Sequence, residues 1–149
     1  MTLNEDGCVS ILDLDGNPNN DNNCLGCFYG GNNVIGVIPA NLWALGHLIK
    51  LSLGSNTQLN GSLPTAINNL VHLTFLNLRD VNLSGTIPEE LGDLILLTNL
   101  NLSGANLVGT VPTTFSNLEN LEYLYLDGCL LYTSPSPRDQ RGARMPSSA

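Results

Sequence analysis

The segment GTIPEELGDLILLTNLNL, residues 85–102, decides the fold, because the same arrangement recurs along the chain. Four such copies start at Pro39, Pro64, Pro88 and Pro112, at intervals of 25, 24 and 24 residues. A fixed period of this length predicts a solenoid, in which each turn buries its apolar side only against neighbouring turns. The apolar offsets match between copies, as the first and third show: Leu42, Leu45, Leu48, Leu51 and Leu53 against Leu91, Leu94, Leu97, Leu100 and Leu102.

One half of each copy alternates in the way that a short strand requires. In LTFLNL, residues 73–78, Leu76 and Leu78 point to one side, whereas Phe75 and Asn77 point to the other. Stacked copies therefore pair these strands in parallel.

The other half of each copy is a compact return path. The stretch NLSGTIPEELGDL, residues 82–94, contains Gly85 and Pro88, which suit tight turning. Its length accommodates a turn or a 3-10 helix but hardly a full α-helix. The predicted fold is an α/β solenoid, a right-handed coil with a parallel β-sheet on the concave face and turns or 3-10 segments on the convex side.

These residues resemble the plant-type leucine-rich repeat, whose pattern reads LxxLxxLxLxxNxLxGxIPxxLxx. The resemblance covers roughly residues 8–128, with SILDLDGN at residues 10–17 as a first repeat. It implies the ectodomain of a receptor-like kinase, a receptor-like protein, or a secreted inhibitor of a microbial wall-degrading enzyme such as polygalacturonase. The marks of the subclass are GVIP, GSLP, GTIP and GTVP, which begin at Gly36, Gly61, Gly85 and Gly109.

Two departures from this pattern bear on the structure. The inward Asn of the family falls at Asn17, Asn56, Val81 and Ala105, and the last two cannot make its side-chain hydrogen bonds. The first repeat also carries an insertion, at about residues 18–32, which is rich in Asn and Gly and should project as a loop.

The insertion contains Cys24 and Cys27, and a CxxC pair can be a redox centre or half of a zinc site. No second pair exists, and neither His47 nor His72 has metal-motif spacing to this one. We therefore expect no metal and no cofactor. The resemblance implies instead a structural disulfide, for example from Cys8 to one of the two, that staples an N-terminal cap.

The sequence after Gly128 loses the repeat. The stretch CLLYTSPSPRD, at the start of residues 129–149, resembles the conceptual translation of a transposase adapter used in sequencing libraries. A genuine Ser/Pro-rich linker would have a similar composition. We expect residues 1–128 to form the leucine-rich repeat domain and residues 129–149 to be a non-native, disordered tail.

The outward residues of the strands form the recognition face that the resemblance implies. Three columns follow from the repeat: Ile11, Lys50, Phe75, Asn99 and Tyr123; Asp13, Ser52, Asn77, Asn101 and Tyr125; Asp15, Gly54, Arg79, Ser103 and Asp127. From these we predict a binding surface that consists of Asp13, Lys50, Phe75, Asn77, Arg79, Asn99, Asn101, Tyr123, Tyr125 and Asp127.

The aromatic residues Phe75, Tyr123 and Tyr125 are its large anchors, since aromatic and Arg side chains dominate interface energetics. Two local alternatives stay open. In the first, Phe75 merely covers a neighbouring strand; in the second, Arg79 pairs with the adjacent Asp80.

Composition limits the other classes of function. Only 12% of residues are charged, thirteen acidic against five basic, which argues against a nucleic acid or an anionic membrane as partner. No GxSxG or similar nucleophile context occurs, so we predict no catalytic residues and no enzyme, although the parent protein could carry a kinase domain elsewhere.

The compartment follows from weaker signals. Glycosylation acceptor motifs occur at Asn60, Asn82 and Asn101, and with the cysteines they favour an extracellular or cell-surface location. The stretch MTLNEDGCVS lacks the basic start and apolar core of a secretory signal, so either the protein is cytosolic or its true N-terminus is missing. The function favoured is recognition of a protein or peptide; the alternative is an intracellular scaffolding array with reduced cysteines.

Overall fold

The computed structural model describes residues 2–3, 9–14 and 32–131. The predicted disulfide among Cys8, Cys24 and Cys27 therefore lies outside the described residues. So do Asp15 of the third column, Asn17, and the predicted insertion up to residue 31.

Strands and 3-10 helices alternate along the described chain with the period of the repeat. The strands are β1 Thr2–Leu3, β2 Val9–Asp13, β3 Gly36–Val37, β4 Lys50–Ser52, β5 Leu59–Ser62, β6 Phe75–Asn77, β7 Asn82–Ser84, β8 Asn99–Asn101, β9 Val108–Gly109, β10 Tyr123–Tyr125 and β11 Leu130–Leu131. The 3-10 helices are η1 Ala40–Ala44, η2 Thr65–Asn69, η3 Glu89–Asp93 and η4 Thr113–Asn117.

The main sheet runs through the described repeats in the order β1-β2-β4-β6-β8-β10. Each pair from β2 onward is parallel, and only β1 lies antiparallel to its neighbour among these strands. The register follows the repeat, since Leu51 pairs with Leu76 and Leu76 with Leu100. Parallel strands joined by 3-10 segments confirm the predicted α/β solenoid.

The return path of each repeat begins at its proline. Pro39, Pro64, Pro88 and Pro112 are the N-cap residues of η1 to η4. A missing backbone N–H costs nothing at a helix start, where the first N–H groups have no partner within the helix. This is the structural reason for the proline that marks each copy.

A second, smaller set of strands forms beside the main sheet, just before these prolines. β3, β5 and β7 pair in that order, β9 pairs with β11, and a bridge between Thr86 and Val108 links the two groups. The glycine of each GxxP motif has a positive φ, from +85° at Gly85 to +149° at Gly61. Only glycine adopts such angles without a steric penalty, so it recurs with the proline.

The core is a stack of leucines between the main sheet and the return path. Leu51, Leu76 and Leu100, which are equivalent positions in three repeats, are 0% exposed, whereas Leu124 in the last described main-sheet strand is 43% exposed. Burying one such side chain stabilises the fold by about 1.5–3 kcal/mol. Each turn therefore depends on the turn that follows it.

The inward Asn position shows how the repeats without Asn are stabilised. Asn56 is 1% exposed, and its side-chain amide donates hydrogen bonds to the carbonyls of Leu14, at 2.8 Å, and Leu53, at 2.8 Å. At Val81 and Ala105 the backbone N–H of the residue itself bonds the carbonyl three positions earlier, at 3.2 Å and 3.1 Å. A tight backbone turn thus replaces the side-chain bond there.

The structure extends the repeat three residues past the predicted boundary at Gly128. Leu130 and Leu131 pair in parallel with Val108 and Gly109. The thiol of Cys129 lies 3.1 Å from the carbonyl oxygen of Leu102, at the position of the inward Asn. Residues 129–131 therefore continue the register of the repeat, because a small side chain and two leucines satisfy the pattern. Residues 132–149 lie outside the described part, and the adapter origin of the tail stays a prediction.

Candidate binding surface

The outward columns predicted from the repeat are present in the main sheet. Register pairing joins Ile11, Lys50, Phe75, Asn99 and Tyr123 in the first column, and Asp13, Ser52, Asn77, Asn101 and Tyr125 in the second. Backbone hydrogen bonds from Ser55 N–H to Arg79 and from Gly104 N–H to Asp127 carry the same alignment to the end of each strand. Geometry thus brings these residues together as one surface, while their role in binding stays a prediction.

The part of this surface nearest the N-terminus is held by an internal ion pair. The ammonium of Lys50 lies 2.8 Å from a carboxylate oxygen of Asp13 on the neighbouring strand, and their side chains are 9% and 16% exposed. The same ammonium lies 5.1 Å from the centre of the Phe75 ring on the strand at its other side. The positive charge of Lys50 is therefore compensated within the molecule by a carboxylate and by a cation–π contact.

The structure shows internal contacts for both Phe75 and Arg79, and whether either also contacts a ligand stays a prediction. Phe75 is half-buried and contacts Lys50 of the adjacent strand, so part of its ring covers a neighbour. Arg79 Nε lies 3.1 Å from a carboxylate oxygen of Asp80. Both side chains of that pair stay partly exposed, at 26% and 41%, so a pair of this kind stabilises the fold by at most about 1 kcal/mol.

The central amides of the face are bonded to their neighbours. The Asn77 amide nitrogen donates to the Ser52 hydroxyl at 3.0 Å, and the Asn77 side-chain oxygen accepts from the backbone of Arg79 at 3.1 Å. Asn101, on the next strand of the sheet, makes the equivalent contact, since its side-chain oxygen accepts from the backbone N–H of Ser103 at 3.0 Å. These bonds fix the orientations of the amides on the central part of the face.

The last two main-sheet strands carry aromatic rings and a carboxylate. Tyr123 is 44% exposed and Tyr125 half-buried, in adjacent columns of β10. Two residues later Asp127 is exposed, and one of its carboxylate oxygens accepts a hydrogen bond of 2.8 Å from the Ser103 hydroxyl. This corner therefore offers two partly exposed aromatic anchors and a carboxylate acceptor.

One residue of the surface was missing from the predicted binding set. Ser103, which stands in the third column between Arg79 and Asp127, positions the Asp127 carboxylate. The pairing of Arg79 with Asp80 was one of the alternatives that the sequence left open.

The three glycosylation acceptors lie on two different faces. Asn60 on β5 and Asn82 on β7 are partners in the second sheet, with Asn60 half-buried and Asn82 exposed. Asn101 is on the outward face of the main sheet, where its side-chain oxygen is already bonded. Asn82 is thus the most accessible acceptor, and glycosylation stays a prediction.

The two histidines stack on the return side, away from the outward face. The rings of His47 and His72 are 6.2 Å apart between centroids and 9° from parallel, and both residues are exposed. His72 Nδ1 lies 2.9 Å from the Gly46 carbonyl, so this nitrogen carries the proton and donates. Asn120 makes the equivalent bond to Ile95, at 2.7 Å, which identifies a structural role for the position.

Neither a metal site nor a membrane span occurs in the part of the chain that the structure describes. Groups of three or more His, Cys, Asp or Glu side chains that could hold a metal ion are absent from those residues. The same residues contain no helix with the length and apolarity needed to cross a bilayer.

Comparison with known proteins gives the family of the repeats. Residues 72–94 and 96–118 match the family model described as Leucine Rich Repeat. No curated protein matches the chain.

Solved structures of plant proteins share its architecture. A chain of the BIR3–SERK2 complex from Arabidopsis thaliana is 36% identical, with a TM-score of 0.62 over 68% of this chain and 55% of that one. The ectodomain of the Arabidopsis receptor kinase HAESA, solved with an IDA peptide hormone, is 37% identical, with a TM-score of 0.60 over 64% of this chain and 16% of that one. A plant ice-binding protein is 35% identical, with a TM-score of 0.62 over 65% of this chain and 31% of that one.

This chain thus spans little more than half of the first of these proteins and less than a third of the other two. The ice-binding protein shows that one architecture carries unlike functions, so function has to be argued from the surface. On its repeats, its sheet and these likenesses, the chain has the fold of a leucine-rich repeat solenoid and is similar to the ectodomains of plant receptors.

Proposed function

We propose that this chain is a recognition module for a peptide or protein, as part of an extracellular receptor or of a secreted inhibitor. The observation that carries the proposal is the corner formed by Tyr123, Tyr125 and Asp127 on the outward face, beside Asn99 and Asn101. Tyrosine supplies a large amphipathic contact area at low cost in conformational entropy, and aromatic residues are enriched among those that dominate binding energy.

The size of the surface favours a narrow ligand. The described columns contain 14 residues, fewer than the roughly 20–30 that each side contributes to a standard protein interface. Five parallel strands at about 4.8 Å spacing give a sheet roughly 20 Å across. An extended peptide fits this width better than a globular partner does.

The similar structures also support recognition of a peptide or protein. The HAESA ectodomain was solved with a peptide hormone, and SERK2 with BIR3, another protein. Because this chain covers only part of those proteins, their ligands indicate a class of partner and not its identity.

The experiment that tests recognition is a selection of binders from a random peptide library displayed on phage. Tyr123→Ala and Tyr125→Ala should each weaken binding of a selected peptide by about tenfold or more, as expected for aromatic hot-spot residues. Val71→Ala is the matched control, because Val71 is exposed on the return side and its loss should leave affinity unchanged. Selection of no peptide, or of peptides insensitive to both tyrosines, contradicts the proposal.

The extracellular part of the proposal has its own test. Thiol labelling of native and denatured protein purified from its source counts the cysteines that are protected. A disulfide among Cys8, Cys24 and Cys27 would protect two of the three. Complete labelling of all three in native material would favour the intracellular scaffold instead.

A further inference from the structure

The first strands of the outward face show how this sheet binds a cation. Lys50 lies between Asp13, at 2.8 Å, and the ring of Phe75, at 5.1 Å from its centroid. Carboxylate and aromatic ring come from the two strands that flank Lys50 in the sheet. The Asp13 carboxylate and the Phe75 ring thus form a cation site, and the Lys50 ammonium of the same protein occupies it.

The last strands present the same two chemical groups without a cation of their own. Tyr123 and Tyr125 supply the rings, and Asp127, two residues beyond Tyr125, supplies the carboxylate. Residues 80–131 contain seven Asp and Glu residues and no Lys or Arg. The nearest basic residue along the sheet, Arg79, is held by Asp80.

The carboxylate is also available for a ligand. One oxygen of Asp127 accepts the Ser103 hydroxyl at 2.8 Å, which fixes the orientation of the group. Among the described residues the other oxygen takes no hydrogen bond, and Asp127 is exposed. A fixed, exposed carboxylate two residues along the chain from an aromatic ring on the same outward face is complementary to a guanidinium or ammonium group.

We propose that the ligand of this face is a basic peptide, whose Arg or Lys side chain lies over Tyr125 and pairs with Asp127. The ligand's cation then takes at this corner the place that Lys50 occupies beside Asp13 and Phe75. Charge favours this partner, because residues 1–128 carry twelve acidic residues and only Lys50 and Arg79 as basic ones. The inference rests on the proposed recognition function and names the chemistry of its ligand.

The test uses the peptides selected from the phage library, each synthesised in three forms. One form keeps its basic residue, one replaces it with citrulline, which has the shape of Arg without the charge, and one replaces it with alanine. Dissociation constants are measured by calorimetry at two salt concentrations. We expect the citrulline form to bind about tenfold or more weakly than the parent, and the parent to weaken as salt rises.

Two variants of the protein locate the effect. Asp127→Asn retains an oxygen that can accept the Ser103 hydroxyl but removes the charge, and should reduce the affinity of the basic peptide about tenfold while leaving the citrulline form unchanged. Glu119→Gln removes the same charge from an exposed residue outside the main-sheet strands and should have little effect.

These experiments distinguish a failure of the basic-ligand inference from a failure of the proposed recognition function. If selected peptides require Tyr123 or Tyr125 but contain no basic residue, or are insensitive to Asp127→Asn, the basic-ligand inference is wrong and the recognition function stands. If no peptide is selected, both are wrong.

Discussion

Replacing Asn56 with alanine should lower the free energy of unfolding by about 3 kcal/mol, because this one side chain satisfies several backbone groups. Its amide nitrogen lies 2.8 Å from the Leu14 carbonyl, 2.8 Å from that of Leu53 and 3.1 Å from that of Gly54. Its oxygen accepts the backbone N–H of Val34 at 3.0 Å. The amide thus ties together the two chain segments that enter and leave the insertion.

The magnitude follows from the number of bonds that the side chain can make. The Asn56 amide has two N–H donors, so it makes two full hydrogen bonds, which the three nearby carbonyls share. The bond that its oxygen accepts brings the total to three. A hydrogen bond of this kind contributes about 1 kcal/mol net, and a buried group left without a partner costs ~1–3 kcal/mol. Because the bonds to Leu14 and Val34 are only partly buried, we count the net value for each of the three bonds, which gives a total of about 3 kcal/mol.

Thermal and urea unfolding followed by circular dichroism measure this change. A loss of about 3 kcal/mol corresponds to a fall of roughly 10 °C or more in Tm for a domain of this size. Asn69→Ala is the matched control, because Asn69 is exposed on η2 and its replacement should stay within about 0.5 kcal/mol. An Asn56→Ala variant as stable as the control would refute the reasoning.

Three further substitutions test other parts of the structure. Gly104→Ala should destabilise the protein by about 1–2 kcal/mol in urea titrations, since Gly104 has a φ of +65° and an added Cβ would meet the Asp80 carboxylate; unchanged stability would show that this turn can relax. His72→Asn should preserve stability while His72→Ala lowers it by about 1 kcal/mol, because Asn120 already makes the equivalent bond; equal melting of the two variants would deny that bond any role. Lys50→Met should cost about 2 kcal/mol, because it leaves a largely buried carboxylate without its ammonium; a neutral result would mean that water solvates the carboxylate.

The period of the repeat made most of the fold predictable. Because the same offsets recur every 24 or 25 residues, the pairing of Lys50 with Phe75 and of Phe75 with Asn99 followed before any coordinates. Prolines at fixed offsets likewise indicated where each return path begins.

The side-chain contacts within the outward face were harder to predict than the residues that form the face. The columns placed Asp13, Lys50 and Phe75 near one another, but not which neighbour the Lys50 ammonium would bind. That choice depends on side-chain rotamers, which a periodic pattern does not specify. The repeat pattern therefore placed all three in the predicted binding surface and left a covering role for Phe75 open, whereas the structure shows that Lys50 contacts the other two.

The structural continuation past Gly128 was not visible in the repeat pattern for a different reason. A pattern that expects Asn three residues after the last strand leucine rejects Cys129, yet the thiol fits the same inward position. Small side chains at Val81, Ala105 and Cys129 are tolerated because the backbone N–H of each closes the turn.

NMR chemical-shift mapping of the ¹⁵N-labelled protein with a selected peptide tests whether the corner of Tyr123, Tyr125 and Asp127 is the recognition surface. We expect the largest changes at Asn99–Asn101 and from Tyr123 to Asp127, with little change at Thr113–Asn117 on the return side. Largest changes on the return side or on the second sheet would contradict it.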